Sequence, residues 1–201
     1  MGTISQIVTD FDTVKLNGWY WGAAGTAHAP DSEHDWSVCV TNLVHNSEVC
    51  IQDAYAITNV NKYLHCRRLV YIDTATQNNP WEWVNPPMEL GVEYRTTERY
   101  LGEPVYVKVV NCGVLPSGAT LTVKHEIANV GMIAEAKAIA SNSTAGYNGR
   151  APFPQVYNNS LTNGWTNYLV AATSNEILIY CGGGLAGCSV YVTMRYTKDT
   201  Q

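Results

Sequence analysis

The sequence has few charged residues and no long apolar run, and each absence excludes a class of protein. Asp, Glu, Lys and Arg make up 14% of its 201 residues, below the roughly one quarter of an average domain. No run approaches the roughly 18 consecutive apolar residues of a membrane-spanning helix, so the sequence predicts no membrane insertion. The net charge is −5 and basic residues do not cluster, which argues against a nucleic-acid partner. The first residues lack the basic and apolar regions of a signal peptide.

The cysteines do not follow the spacing of a zinc site. They are Cys39, Cys50, Cys66, Cys112, Cys181 and Cys188, with no C-x-x-C pair among them. No His lies at zinc-finger spacing from these cysteines. Several of them fall inside apolar, strand-like runs, where a reduced cysteine packs as a small hydrophobic residue. Cys181 and Cys188 flank a glycine-rich loop and would face each other across a hairpin, so a disulfide stays open as an alternative to free thiols.

Composition and alternation predict an all-β protein with long loops. The chain contains 17 Asn and 19 Thr. Thr, Val and Tyr favour strands, while Asn and Gly favour turns. In the first half, residues 38–44, 48–57 and 68–72 are predicted strands of a small sheet.

The sequence also predicts the core residues of this first module and the point where the module ends. Trp19, Trp21 and Trp36 are predicted core residues, because a small module needs large side chains to bury apolar area. Pro86 and Pro87 cannot continue a central strand and stiffen the exit from the module. We therefore expect a small β module over residues 1–87, a joint over 88–103 and an antiparallel β-sandwich head over 104–201.

The second half alternates more regularly between apolar and polar residues. Residues 104–112 and 120–127 are predicted to form one hairpin, and residues 176–181 and 189–197 a second one. Residues 131–141 are ambiguous: their Ala, Glu, Lys and Met favour a helix, whereas their alternation fits a strand. The neighbouring strands need sheet partners, which favours the strand.

One histidine lies on an apolar strand face. Leu121, Val123, His125 and Ile127 share one side of the strand over 120–127. His125 has three interpretations: a core residue with its hydrogen bonds satisfied, a contact at a subunit interface, or a catalytic residue.

One segment follows a recognisable pattern. Residues 91–130 read GVEYRTTERYLGEPVYVKVVNCGVLPSGATLTVKHEIANV. A polar EYRT and ER segment leads into G-x-P-V-Y-x-K, then G-x-L-P, and then a strand that ends in His-x-Ile. This pattern resembles the C-terminal region of tail fibre, or receptor-binding, proteins of bacteriophages and prophages. The matching residues are Glu93 to Thr96, Gly102, Pro104 to Tyr106, Lys108, Gly113, Leu115, Pro116, His125 and Ile127.

Two further segments are similar to the same family. VYVTMRYTK (190–198) resembles its closing strand, and the segment that begins DFDTVKLNGWYWG resembles its pyocin-knob module. The resemblance implies a homotrimer on a virion tail or a phage tail-like particle, made in the bacterial cytoplasm and acting outside the cell. It implies attachment to a bacterial surface carbohydrate or surface protein, without catalysis. His125 becomes a candidate for the trimer interface.

The best material for glycan binding lies between residues 142 and 168. Sugars stack their C–H faces on aromatic rings and hydrogen-bond to amide and guanidinium groups. The candidate ligand-binding residues are Tyr147, Asn148, Arg150, Tyr157, Asn159, Trp165, Asn167 and Tyr168. The alternative is that Trp165 and Tyr168 begin a strand and pack inward.

Enzymatic chemistry has weaker support. A polysaccharide depolymerase needs two carboxylates, and the densest set is Glu89, Glu93, Glu98 and Glu103. A metal site would draw on the histidines and acids of the loop over 28–35, whose spacing matches no defined motif. The sequence contains no G-x-S-x-G or H-E-x-x-H motif. We expect no catalysis, cofactor or metal, and keep a depolymerase and a structural tail connector as alternatives.

Overall fold

The computed structural model describes residues 6–43, 48–57, 64–72, 78–141, 150–153, 169–181 and 186–199. These residues form fourteen strands and one 3-10 turn, so the all-β prediction is confirmed. Among them no helix is long and apolar enough to cross a membrane. The chain divides into two compact units: Met1–Pro87 with Arg95–Thr97, and Met88–Tyr94 with Glu98–Gln201.

The first unit is a meander of neighbouring strands. Its strands are β1 (Gln6–Ile7), β2 (Gly18–Gly22), β3 (Trp36–Asn42), β4 (Val49–Ala56), β5 (His65–Tyr71), β6 (Glu82–Asn85) and the centre of β7 (Glu93–Tyr100). They lie in sequence order, antiparallel from β2 to β6, while β1 runs parallel to β2 and β6 parallel to β7. The three strands predicted in this half are confirmed as β3, β4 and β5.

Strand alternation decides which tryptophans enter the core of this unit. Trp36 is fully buried and meets Trp83 edge-on, with ring centroids 6.3 Å apart. Trp19 is 42% exposed, because Tyr20 is the β2 residue that faces the core. Trp21 shares the outward side of β2 with Trp19 and is only half-buried. The core prediction was therefore right for Trp36 and wrong for Trp19 and Trp21.

A buried polar network ties the N-terminal segment to the sheet. The fully buried Gln52 donates from Nε2 to the carbonyls of Phe11, at 2.8 Å, and Val14, at 2.7 Å. Arg68 Nε donates to Gln52 Oε1 at 2.9 Å. Arg68 Nη2 lies 2.7 Å from Asp12 Oδ1 as an ion pair that lacks hydrogen-bond alignment. Burial lowers the pKa of Arg68 despite this partner.

The second unit contains two antiparallel sheets. Its strands are the ends of β7, then β8 (Glu103–Val114), β9 (Ala119–Lys124), β10 (Val130–Ser141), β11 (Arg150–Phe153), β12 (Leu169–Ala172), β13 (Glu176–Cys181) and β14 (Ser189–Lys198). One sheet has the order β8-β14-β10-β11 and the other β12-β13-β9. Ile177 and Ile179 of the second sheet share a core with Val190, Val192 and Met194 of the first, which is the packing of a sandwich.

Both predicted hairpins were wrong, although their strands exist. Strand β8 pairs with β14, and β9 pairs with β13 in the other sheet. The segment after β8 is a crossing between sheets, because Leu115 is buried and exchanges backbone hydrogen bonds with Cys188 and Gly187. A local turn signal cannot distinguish such a crossing from a tight hairpin.

Two open alternatives are decided by this arrangement. The segment over 131–141 is a strand, because β10 lies between β14 and β11. Cys188 is a free, buried thiol, so the disulfide with Cys181 is not formed. Burial also raises the pKa of the Cys112 thiol to about 11.

Candidate functional site

The predicted glycan-binding loop lies almost wholly outside the described residues. Of its eight candidates, Tyr147, Asn148, Tyr157, Asn159, Trp165, Asn167 and Tyr168 fall there. Arg150 is the first residue of β11, where its backbone pairs with Ser141 of β10. The binding role of this loop stays a prediction.

His125 lies inside the second unit with its ring nitrogens satisfied. His125 is buried, with 2% of its surface exposed. Nδ1 accepts a hydrogen bond from the backbone N–H of Ile127 at 3.1 Å, so the neutral ring carries its proton on Nε2, which lies 3.2 Å from the Thr173 carbonyl. This is the geometry of a core histidine. A role at a trimer interface stays a prediction.

A polar cleft lies next to His125. Its volume is about 530 Å³, and it is lined by Lys124, Glu126, Ile127, Thr173, Asn175 and Glu176. Thr173 and Glu176 are joined by backbone and side-chain hydrogen bonds that close the turn between β12 and β13. These polar groups therefore build the turn itself.

Two of the four acidic candidates of the joint, Glu93 and Glu98, are ion-pair partners within the second unit. Glu93 accepts hydrogen bonds from the Tyr196 hydroxyl and from Lys198 Nζ. Glu98 pairs with Arg195. Burial and the Glu93 carboxylate raise the pKa of Tyr196, which keeps its hydroxyl protonated as a donor. Glu93 and Glu98 are thus engaged in holding β7 to β14.

The loop over 28–35 does not converge on one metal position. His34 pairs with Asp31 at 2.9 Å, while Asp35 accepts a hydrogen bond from the backbone of Ala24. His28 instead lies beside Asp10 and Asp12, and one ligand atom from each of the three lies within 4.8 Å of the others.

Hydrogen bonds inside this triad account for its geometry. Asp10 accepts from His28 Nδ1 and from the Asp12 backbone N–H, each at 2.8 Å. Burial raises the pKa of Asp10, but these two bonds and the positive charges of His28 and Arg68 together leave that pKa lowered. The bond to Asp10 raises the pKa of His28. Because Asp12 also pairs with Arg68, the triad caps the N-terminal turn and couples it to the core.

The outer side of the first unit carries exposed rings beside charged groups. Trp19 and Tyr55 are 42% and 40% exposed, with ring centroids 6.1 Å apart and ring planes inclined by 36°. His65 stacks on Tyr55 at 4.5 Å. Asp53 accepts hydrogen bonds from His65 Nε2 at 2.9 Å and Arg67 Nε at 2.8 Å. We name these five residues the aromatic face.

The register of the sheet brings the aromatic face together. One row crosses the four strands from β2 to β5: it contains Trp19, Cys39, Asp53 and Arg67, each aligned with the next. Tyr55 aligns with His65 in the next row. Sequence reasoning predicted none of the five as site residues, since it assigned Trp19 to the core and did not single out the other four. The available signal was the alternation of β4, in which Asp53 and Tyr55 lie opposite the buried Gln52 and Ala54.

Comparisons with known proteins find distant likenesses only. No protein family matches the sequence, and no curated protein is significantly similar to it. An N-truncated R2-type pyocin tail fibre is 12% identical, with 93% of this chain and 94% of that chain covered and a TM-score of 0.30. A C-terminal fragment of the P. aeruginosa R2 pyocin fibre is 11% identical, with 93% and 64% covered and a TM-score of 0.29. A C-terminal fragment of the P. aeruginosa R1 pyocin fibre is 10% identical, with 96% and 65% covered and a TM-score of 0.29. This chain thus spans less than two thirds of the two C-terminal fragments, and these TM-scores support no argument about function.

Proposed function

We propose that this chain is the receptor-binding part of a phage or phage-derived tail fibre. In this role it attaches the particle to a bacterial cell-surface glycan and does not cleave that glycan. The proposal rests on the sequence resemblance over 91–130 and on what the matching residues do in the structure.

The matching residues build the scaffold of the second unit. Glu93 ties β7 to β14 through Tyr196 and Lys198. Gly102 and Gly113 have positive φ angles of 89° and 80°, which a side chain would strain. The resemblance therefore falls on positions that determine the fold, as expected if the chain shares its scaffold with tail fibres.

The same scaffold explains the other matching residues. Leu115 and Ile127 are buried in the sandwich core. Lys108 Nζ donates to the carbonyl of His125 at 3.1 Å, which holds the end of β9 against β8. This agreement between motif and scaffold is the observation that supports the proposal best, because rigid sheets commonly hold variable recognition loops.

The acidic side chains support attachment over cleavage. A glycosidase needs one carboxylic acid and one carboxylate free to act on the sugar. Glu93 and Glu98 of the joint are engaged with Lys198 and Arg195. The depolymerase is therefore the weaker alternative, and a tail connector that contacts only virion proteins is the other.

Replacing Trp165 or Tyr147 by alanine should weaken binding of the fluorescent protein to host cells by about tenfold, which is about 1.4 kcal/mol. In the unaltered protein each of these two rings would stack on a sugar. Flow cytometry on whole bacteria measures the effect. Tyr100→Ala is the control, because Tyr100 is also a partly exposed aromatic of the second unit but lies outside the loop. Equal binding by all variants contradicts the loop assignment, and release of new reducing ends from host polysaccharide at turnover contradicts attachment without cleavage.

The protein should be a homotrimer in solution. Light scattering should give three times the 22.1 kDa mass of one chain. Three copies would convert modest affinity at each site into strong attachment to a repetitive surface, since the second and third contacts form at high effective concentration. A mass of one chain at micromolar concentration contradicts this prediction.

A further inference from the structure

The aromatic face differs in chemistry from the rest of its sheet surface. Trp19 and Tyr55 expose ring surface at one end. Further along the same side of the sheet, Ile51 aligns with Leu69, which is 37% exposed and aliphatic. The same side of the sheet thus carries exposed rings and an exposed aliphatic chain, with the half-buried Tyr71 beyond Leu69. A general apolar contact would use Leu69 as well as the rings, whereas a ligand that needs flat rings would use Trp19 and Tyr55 alone.

The ring geometry suits stacking of a flat, weakly polar ligand. Trp19 and Tyr55 are neighbouring, partly exposed rings, with centroids 6.1 Å apart and planes inclined by 36°. His65 stacks on Tyr55 with 16° between the planes, and this contact restricts the Tyr55 ring. A ring held in place loses little conformational entropy when a ligand stacks on it.

Hydrogen-bonding groups are fixed beside these rings. Arg67 donates Nε and Nη2 to the two oxygens of Asp53, at 2.8 and 3.2 Å. A guanidinium has five N–H donors, and the Arg67 side chain is 52% exposed, so donors remain on its solvent side. Arg67 therefore offers donor atoms at a fixed position beside exposed rings, while the Asp53 carboxylate, whose side chain is only 16% exposed, holds the guanidinium in place.

The charges of the aromatic face favour a neutral ligand. The Asp53 carboxylate offsets Arg67 and also receives the hydrogen bond from His65. Recognition of a phosphate or an acidic polymer relies on cations that are not already paired. A neutral sugar has C–H faces for stacking and hydroxyl oxygens that accept hydrogen bonds from the exposed side of Arg67. Its chemistry matches this surface better than that of an acidic ligand.

We infer that the aromatic face is a second saccharide-binding site, on which a neutral sugar stacks against Trp19 and Tyr55 and accepts hydrogen bonds from Arg67. The inference extends the proposed attachment function to residues of the first unit that are not among the loop candidates.

The test is a glycan array of neutral and anionic bacterial surface oligosaccharides, probed with the 201-residue chain and followed by calorimetric titration of each glycan bound. Trp19→Ala and Tyr55→Ala should each weaken binding of a neutral glycan by about tenfold. Tyr55→Phe should retain binding, because it keeps the ring. Leu69→Ala is the matched control, since Leu69 is exposed on the same surface but offers no ring. Urea midpoints equal to that of the unaltered protein establish that the variants are folded.

The outcomes separate this inference from the proposed function. If Trp165→Ala abolishes glycan binding and Trp19→Ala preserves it, the inference is overturned and the proposed function stays intact. Glycan binding that depends on Trp19 and Tyr55, in a protein that binds no cells, supports the inference and contradicts the proposed function. Equal losses from Leu69→Ala and Trp19→Ala overturn the inference, because they indicate an apolar docking surface. The inference is also overturned if the mass in solution rises with protein concentration and Trp19→Ala removes that rise. This result would indicate that a second copy of the chain binds to this face.

Discussion

Replacement of Trp36 by alanine is expected to lower the free energy of unfolding of the first unit by about 3–5 kcal/mol, the usual cost of removing a buried tryptophan. Trp36 is fully buried and packs edge-on against Trp83. Its removal leaves a cavity that the rigid sheet can fill only in part. Five of the six tryptophans lie before residue 88, so urea unfolding followed by tryptophan fluorescence reports mainly on this unit.

Trp19→Ala is the matched control for that measurement. The residue type and the module are the same, but Trp19 is 42% exposed, so its loss should cost less than about 1 kcal/mol. Trp19 lies on β2 and Trp36 on the neighbouring β3, so the two variants together test which side of this sheet faces the core. Equal midpoints for Trp19→Ala and Trp36→Ala would contradict the described packing.

The second large effect is expected from Asp12→Ala, which should destabilise the first unit by about 3 kcal/mol. Arg68 is the charged partner left behind, and its side chain is only 4% exposed. Burial already lowers the pKa of Arg68, which shows that its charged form is held there at a cost. Without the Asp12 carboxylate, the guanidinium keeps its contact with the Trp81 ring, its bond to Gln52 and the electrostatic attraction of Asp10, none of which is an ion pair at contact distance.

A double variant makes this prediction specific to the buried charge. Asp12→Ala combined with Arg68→Met should be more stable than Asp12→Ala alone, because the second change removes the unpaired cation. Asp53→Ala is the control with an exposed partner, because the Arg67 side chain is 52% exposed. Removing the carboxylate that pairs with Arg67 should lower the free energy of unfolding by about 1 kcal/mol or less. Urea unfolding measures the variants side by side. A double variant no more stable than Asp12→Ala would contradict the buried ion-pair account.

Much of the local structure could be predicted because the relevant signals are local. The alternation over 120–127 placed Leu121, Val123, His125 and Ile127 on one side, and in the structure these are half-buried or buried. The same logic chose a strand over a helix for 131–141. The partners of His125 could not be predicted, because the Thr173 carbonyl that meets it lies 48 residues away in sequence.

The candidate sites show where prediction from the sequence ends. The aromatic face draws on three strands, and Tyr55, Asp53, His65 and Arg67 have no shared motif that would identify them. Their proximity follows from the register of β4 against β5. A register shift by one residue would turn each of these side chains to the other side of the sheet.

The sequence by itself determined the all-β class, most strand positions and the residues that alternate along each strand, because the two-residue period of a strand is fixed by backbone geometry. Only the tertiary structure decided that β8 pairs with β14 and not with β9, that Trp36 is covered while Trp19 is not, and that His28 joins Asp10 and Asp12. Strand pairing and burial depend on which distant segment covers each surface, and no local pattern records that choice.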